Sequence, residues 1–170
     1  ILRIGALDDI SRVSGILNGT SNYMLWQMDK AGMSYEDALR DAQRLGYAEA
    51  DPTADVSGFD VKNKIIILSS LAFDGYVEKN IPMIGIEAIT KEMMDGLRAQ
   101  QKAVKLMGIA VKEGDRYALA VTPVIVSSLS LEANVPLNFN IVSFEGNYVG
   151  EVKLYGQGAG GDPTADAVVR

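Results

Sequence analysis

Four β-rich runs, grouped in two pairs around glycine-centred turns, constrain this chain most. Lys102 to Val111 and Tyr117 to Val126 flank Glu113-Gly114-Asp115, and Phe139 to Phe144 and Tyr148 to Tyr155 flank Glu145-Gly146-Asn147. Short polar turns between β-forming runs predict hairpins, hence antiparallel pairing. The first half reads differently. Arg12 to Leu17 predicts one strand that ends at Asn18-Gly19, and Thr20 or Ser21 then caps a helix reaching Lys30. Ser34 opens a second helix that stops at Gly46. Asp51-Pro52 and Ser57-Gly58 frame a loop, and a third helix runs from Ser57 or Gly58 to Phe73, because Val61, Ile65, Leu68 and Ala72 share one face. Thr90 caps another helix that ends near Gln101, and a glycine-rich stretch, Gly156 to Gly161, leads through Pro163 into a short final helix. Hairpins flanked by helices predict an α+β fold: a mixed, largely antiparallel sheet with helices on one face. The opposite face is left available for dimerisation by a second copy.

The 170 residues suit one domain, 1–170, and can bury a sizeable core. The chain has no Cys and no His. That excludes a disulfide framework, a thiol nucleophile, a thiolate or imidazole metal site and a serine triad of the usual kind. No metal site is expected. Acid–base work must fall to Lys, Asp, Glu or Tyr. A net charge of -6 argues against nucleic acid and against an anionic membrane surface as partners. The longest apolar run, Ile65 to Leu68, spans no bilayer. Cytoplasmic residence is the expectation. The first residue is Ile1 rather than Met, so the native chain is expected to start further upstream.

Three constellations carry chemistry. The densest runs from Leu45 to Lys64 and holds Glu49, Asp51, Asp55 and Asp60 with Lys62 and Lys64. On a helix Asp60 and Lys64 lie within about 40° of each other, whereas Lys62 points away. This is either a site or a solvated loop with an ordinary ion pair worth about 0.3–0.5 kcal/mol. The second is Gly156-Gln157-Gly158-Ala159-Gly160-Gly161. It spells a dinucleotide-binding pattern, but too few residues follow for the βαβ unit and distant acidic residue that such a motif needs. It reads as a flexible turn, or as bare backbone approaching a ligand held mostly elsewhere. The third, Asn18-Gly19-Thr20-Ser21, gathers donors at a helix start and suits a carboxylate or a simple cap.

Taken together these segments resemble one family. Gly15-Ile16-Leu17-Asn18-Gly19-Thr20-Ser21-Asn22-Tyr23, the block Leu45 to Lys64, and Gly156-x-Gly158-Ala159-Gly160-x-x-Pro163-Thr164-Ala165 are similar, in order, to signatures of the homoserine dehydrogenase catalytic domain. The resemblance implies reversible oxidation of L-homoserine to L-aspartate 4-semialdehyde with NAD or NADP, a step towards threonine and methionine, by a homodimer. By motif, Lys64 would exchange a proton with the reacting oxygen. Glu49 would bind the substrate's amino group, Tyr47 would add a main-chain contact, Thr20 would meet the substrate, and Asp55 would extend the acidic rim. An adjacent anion stabilises a charged lysine, so Asp60 is cast as an orienter of Lys64 or of the substrate hydroxyl. Gly156, Gly158 and Ala159, in the closing segment 156–170, would face the cofactor. The nucleotide-binding domain is expected to lie outside this chain. Two other readings remain open: a non-catalytic dimerisation or binding module, and the substrate domain of a different two-domain amino-acid dehydrogenase. A thioester mechanism is excluded from the latter by the missing cysteine.

Overall fold

The computed structural model describes residues 8–73 and 80–158. Its elements run β1 (Ile10–Ile16), α1 (Gly19–Lys30), α2 (Tyr35–Arg44), α3 (Thr53–Val56), α4 (Phe59–Ala72), α5 (Lys91–Ala99), β2 (Lys102–Glu113), β3 (Arg116–Ser127), a 3-10 turn (Glu132–Asn134), β4 (Phe139–Gly146) and β5 (Gly150–Gln157). The five strands form one sheet in the order β3-β2-β1-β4-β5, every neighbour antiparallel. A lone parallel bridge joins Met83 to Val121. Both expected hairpins are present. The second turns two residues later than its glycine suggested, with Gly146 still paired to Gly150. The cause is Asp8, whose carboxylate accepts the backbone N–H groups of Asn147, Tyr148 and Val149. Those bonds hold its pKa below the usual carboxylate value.

The helices cover one face, as expected. Val13, Leu17, Met24, Leu25, Val61, Ile65, Leu106 and Phe144 form the main core there. The α4 axis sits close to the sheet because Gly108 has no side chain. A Cβ there would lie 2.9 Å from the Cβ of Ile65. The other face is less bare than the sequence suggested. The segment around the 3-10 turn folds over it, and Val135 packs with Ile16, Met107 and Ile141 in a second, smaller cluster. The paired Val111 and Ala118, nearer the β3 edge, stay exposed.

Two local readings are corrected. The first helix is capped by Asn18 rather than Thr20 or Ser21, because Asn18 Oδ1 accepts from the Ser21 N–H at 2.8 Å. The stretch read as a loop between Pro52 and Ser57 contains the single-turn α3, started by Asp51, which accepts from the backbone and hydroxyl of Thr53. The helix framed by Gly58 is as read. Gly58 takes the left-handed conformation, φ 87°, at its start. The final helix after Pro163 falls outside the described residues.

Sequence alternation gave no warning of Lys105 on β2, which is only 2 % exposed. Its Nζ donates to Asn22 Oδ1 at 2.8 Å and to the Val135 carbonyl at 2.9 Å, with the Trp26 ring 5.3 Å away. Burial pulls its pKa down to about 7, with Asp29 opposing the shift and Lys30 adding to it. The unfolded chain holds this proton up to a pH near 10.5, so between the two values it binds more protons than the folded chain. Stability should therefore rise with pH across that window, by about 2–3 kcal/mol between pH 7 and pH 9. Urea midpoints measured over that range should climb for the native chain and stay flat for Lys105→Met. A flat profile for both would show that Lys105 folds in with an ordinary pKa.

Candidate active-site cleft

The cleft is built where four elements meet, and it encloses about 630 Å³, within the usual range for small-molecule sites. The β1–α1 turn contributes Asn18, Gly19 and Thr20, and the segment after α2 contributes Tyr47, Glu49 and Asp51 from its loop and Asp55 from α3. The first turns of α4 bring Asp60 and Lys64, and the sheet end brings Asn138, Asn140 and Gly158. The candidates Thr20, Tyr47, Glu49, Asp55, Asp60, Lys64 and Gly158 thus share one space. Gly156 does not line it. It sits in β5 opposite Asn140. Ala159 lies outside the described residues. Lys62, which belongs to the same charged block and lies on α4, does not line the cleft.

Lys64 is held from two sides. Its Nζ lies 2.7 Å from Asp60 Oδ2, the i,i+4 pair expected on this helix, and donates to the Leu17 carbonyl at 3.0 Å. Asn18, which sequence reasoning had left as part of a turn, organises the rest. Its Nδ2 donates to Asp55 Oδ1 at 2.7 Å and to Asp60 Oδ2 at 2.9 Å, while its Oδ1 caps α1. One amide therefore ties a helix start to two carboxylates and, through Asp60, to the lysine. Thr20 spends its hydroxyl proton on the Tyr47 carbonyl at 2.6 Å, and the Tyr47 ring rests on Tyr23, centroids 4.8 Å apart. Tyr23 is itself fixed by Asp41, so the loop that carries Glu49 is braced from below. The Glu49 carboxylate makes no hydrogen bond or ion pair with the described residues and faces solvent. Four carboxylates against one ammonium leave the cleft negative, which favours a cationic group in the ligand. Among the described residues no cluster of acidic side chains has the geometry to hold a metal ion.

Of the sheet-end wall only Gly158 was read as functional; Asn138 and Asn140 were not, because residues 134–147 match the family only loosely. The structure explains its shape. Asn22 Nδ2 reaches the carbonyls of Val135, Leu137 and Phe139, and Asn22 Oδ1 accepts from Lys105. Held this way, Leu137 adopts a left-handed φ of 47°, a conformation that side-chain-bearing residues seldom take. The kink turns Asn138 into the cleft against Gly19, where a Cβ would lie 2.8 Å from the Asn138 carbonyl. Asn140 lies against Gly158, and its Oδ1 is the single buried side-chain polar atom without a partner among the described residues. The one available signal was the spacing Asn138-x-Asn140 at the start of a strand whose neighbour runs through Gly156 towards Gly158.

Fold and cleft together define a pocket-bearing α+β domain whose polar chemistry rests on carboxylates and one lysine. Residues 2–170 match the family model described as homoserine dehydrogenase. The homoserine dehydrogenase of Helicobacter pylori is 45 % identical over 157 residues, covering 91 % of this chain and 37 % of that protein. The crystal structure of a homoserine dehydrogenase from Thiobacillus denitrificans superposes with a TM-score of 0.92 at 40 % identity, over 99 % of this chain and 39 % of that one. A hyperthermophilic archaeal homoserine dehydrogenase mutant in complex with NADPH superposes at 0.79 with 28 % identity, over 96 % of this chain and 46 % of that one. The chain belongs to the homoserine dehydrogenase family, and it spans less than half the length of these relatives. Among the described residues no helix is long and apolar enough to cross a membrane.

Proposed function

We propose that this chain is the substrate-binding and catalytic portion of a cytoplasmic oxidoreductase that interconverts L-homoserine and L-aspartate 4-semialdehyde, using NAD or NADP. The observation that carries the reading is the Lys64–Asp60–Asn18 arrangement at the base of an acidic cleft, in a chain of this family. The zwitterionic substrate needs a counter-charge for its ammonium, and Glu49, unpaired at the rim, is free to supply one. The substrate hydroxyl goes to Lys64, whose Nζ, once it has released a proton and stands as the neutral amine, takes the hydroxyl proton as the alcohol becomes a carbonyl and returns it in the reverse direction. Asp60 fixes the direction in which Lys64 points, and Asn18 fixes Asp60. Thr20 holds the Tyr47 main chain in place beside the substrate, and Asp55 completes the rim.

Hydride acceptance at a nicotinamide ring is the chemistry that a bound NAD or NADP supplies. The sheet-end wall fits such a group. Gly158 presents bare backbone to the cleft, and a buried acceptor beside it waits for a donor. We further propose assembly as a homodimer through the open part of the sheet, where Val111 and Ala118 are exposed.

The test is direct. The full-length protein should reduce NAD or NADP when L-homoserine is added, and Glu49→Gln should raise the Michaelis constant for homoserine by roughly 30-fold, the equivalent of about 2 kcal/mol for a lost charge-assisted contact. No dinucleotide reduction by the full-length protein sinks the reading. An unchanged Michaelis constant removes Glu49 from the substrate's ammonium.

A further inference from the structure

We propose that Asn140 reads the carboxamide of the nicotinamide, its Oδ1 accepting one N–H of that neutral amide. The proposal rests on the reading of this cleft as a nicotinamide-dependent one, and it adds a residue to which no motif points. Buried polar side-chain atoms in folded proteins are almost always paired, and a lone exception calls for a physical reason. Asn140 Oδ1 is that exception among the described residues. It is at the wall of the cleft and not in the core.

The surroundings say what kind of donor it awaits. Asn140 stands on β4 opposite Gly156, which has no side chain to meet it. Its Nδ2 occupies the space a side chain would take at Gly158, since a Cβ there would fall 1.9 Å from that nitrogen. The amide is therefore flanked by two glycines, neither of which brings a side-chain donor to its buried oxygen. A substrate ammonium has better partners in the same cleft, because Glu49, Asp51, Asp55 and Asp60 are all anionic. A phosphate or carboxylate cannot approach a carbonyl oxygen productively. A neutral N–H donor is the group that gains most from a neutral acceptor. A carboxamide also offers an acceptor of its own, so its edge complements the donor–acceptor edge of an asparagine. Recognition here would set which face of the ring is turned to the substrate hydroxyl at Lys64.

Isothermal titration of the full-length protein with NADP and with its 3-acetylpyridine analogue, which carries a methyl ketone in place of the amide, tests this. The native protein should bind NADP about tenfold more tightly than the analogue, the usual worth of one hydrogen bond that is not replaced. Asn140→Ala should weaken NADP to the level of the analogue and leave the analogue unchanged. Asn140→Asp, which keeps an acceptor at the same place, should restore the preference. Survival of the full preference in Asn140→Ala overturns the assignment, as does an equal loss for NADP, the analogue and homoserine, which would mark a structural role. A native protein that binds neither NAD nor NADP overturns the functional reading itself, and this proposal with it.

Discussion

Lys64→Arg should lower turnover of the full-length enzyme by about 10²–10⁴-fold while leaving the fold intact. Arginine keeps the positive charge at every working pH, so it can stabilise an oxyanion beside Asp60 but cannot exchange a proton with it. The range is the ordinary contribution of general acid–base catalysis. Thermal stability should move little, because the side chains of the pair are 44 % and 32 % exposed and such surface pairs contribute modestly. Lys62→Arg is the control, since Lys62 lies on the same helix but not in the cleft. Equal turnover in the two variants would return the Lys64–Asp60 pair to the status of a surface ion pair.

The 170-residue chain alone should show no measurable oxidation of homoserine with either dinucleotide. Every strand pairing in the described sheet is antiparallel, so these residues hold no βαβ unit of the kind that cradles a dinucleotide. Hydride transfer needs the ring held within bonding reach of the substrate carbon, and positioning of that kind accounts for a large part of the rate. Among the described residues Gly158 and Asn140 offer one wall. Steady formation of reduced dinucleotide by the purified chain would show that this domain binds the cofactor unaided.

Where a structural feature depends on neighbours in sequence, it could be read directly. Ser34 and Thr90 cap their helices through the N–H groups of Asp37 and Met93, and the α4 periodicity fixed the shared side of Asp60 and Lys64. The acidic block was legible for the same reason, since it is continuous in the chain. The features missed depend on distant contacts. Asn18 looked like a turn residue because its bonds to Asp55 and Asp60 lie across the fold. Asn140 looked like strand filler because its meaning comes from Gly156 and Gly158 on the partner strand. Lys105 alternates like any solvent-facing lysine, and only the segment around Val135 makes it a buried one.

The position of β1 has a consequence in time. The first strand among the described residues lies in the middle of the sheet, with Val13 flanked by Ala110 of β2 and Phe144 of β4. None of its ladder bonds can form between residues close in sequence. Closing such long loops is entropically unfavourable and is not rewarded until both neighbours arrive, so a high mean contact separation slows folding. During synthesis the helices can form early, but Ile10, Val13 and Ile16 must stay unpaired until the β2–β3 hairpin has emerged. The order of ribosomal output and the order of the sheet are opposed, and the rate at which this domain matures is set by how soon β1 meets β2 and β4.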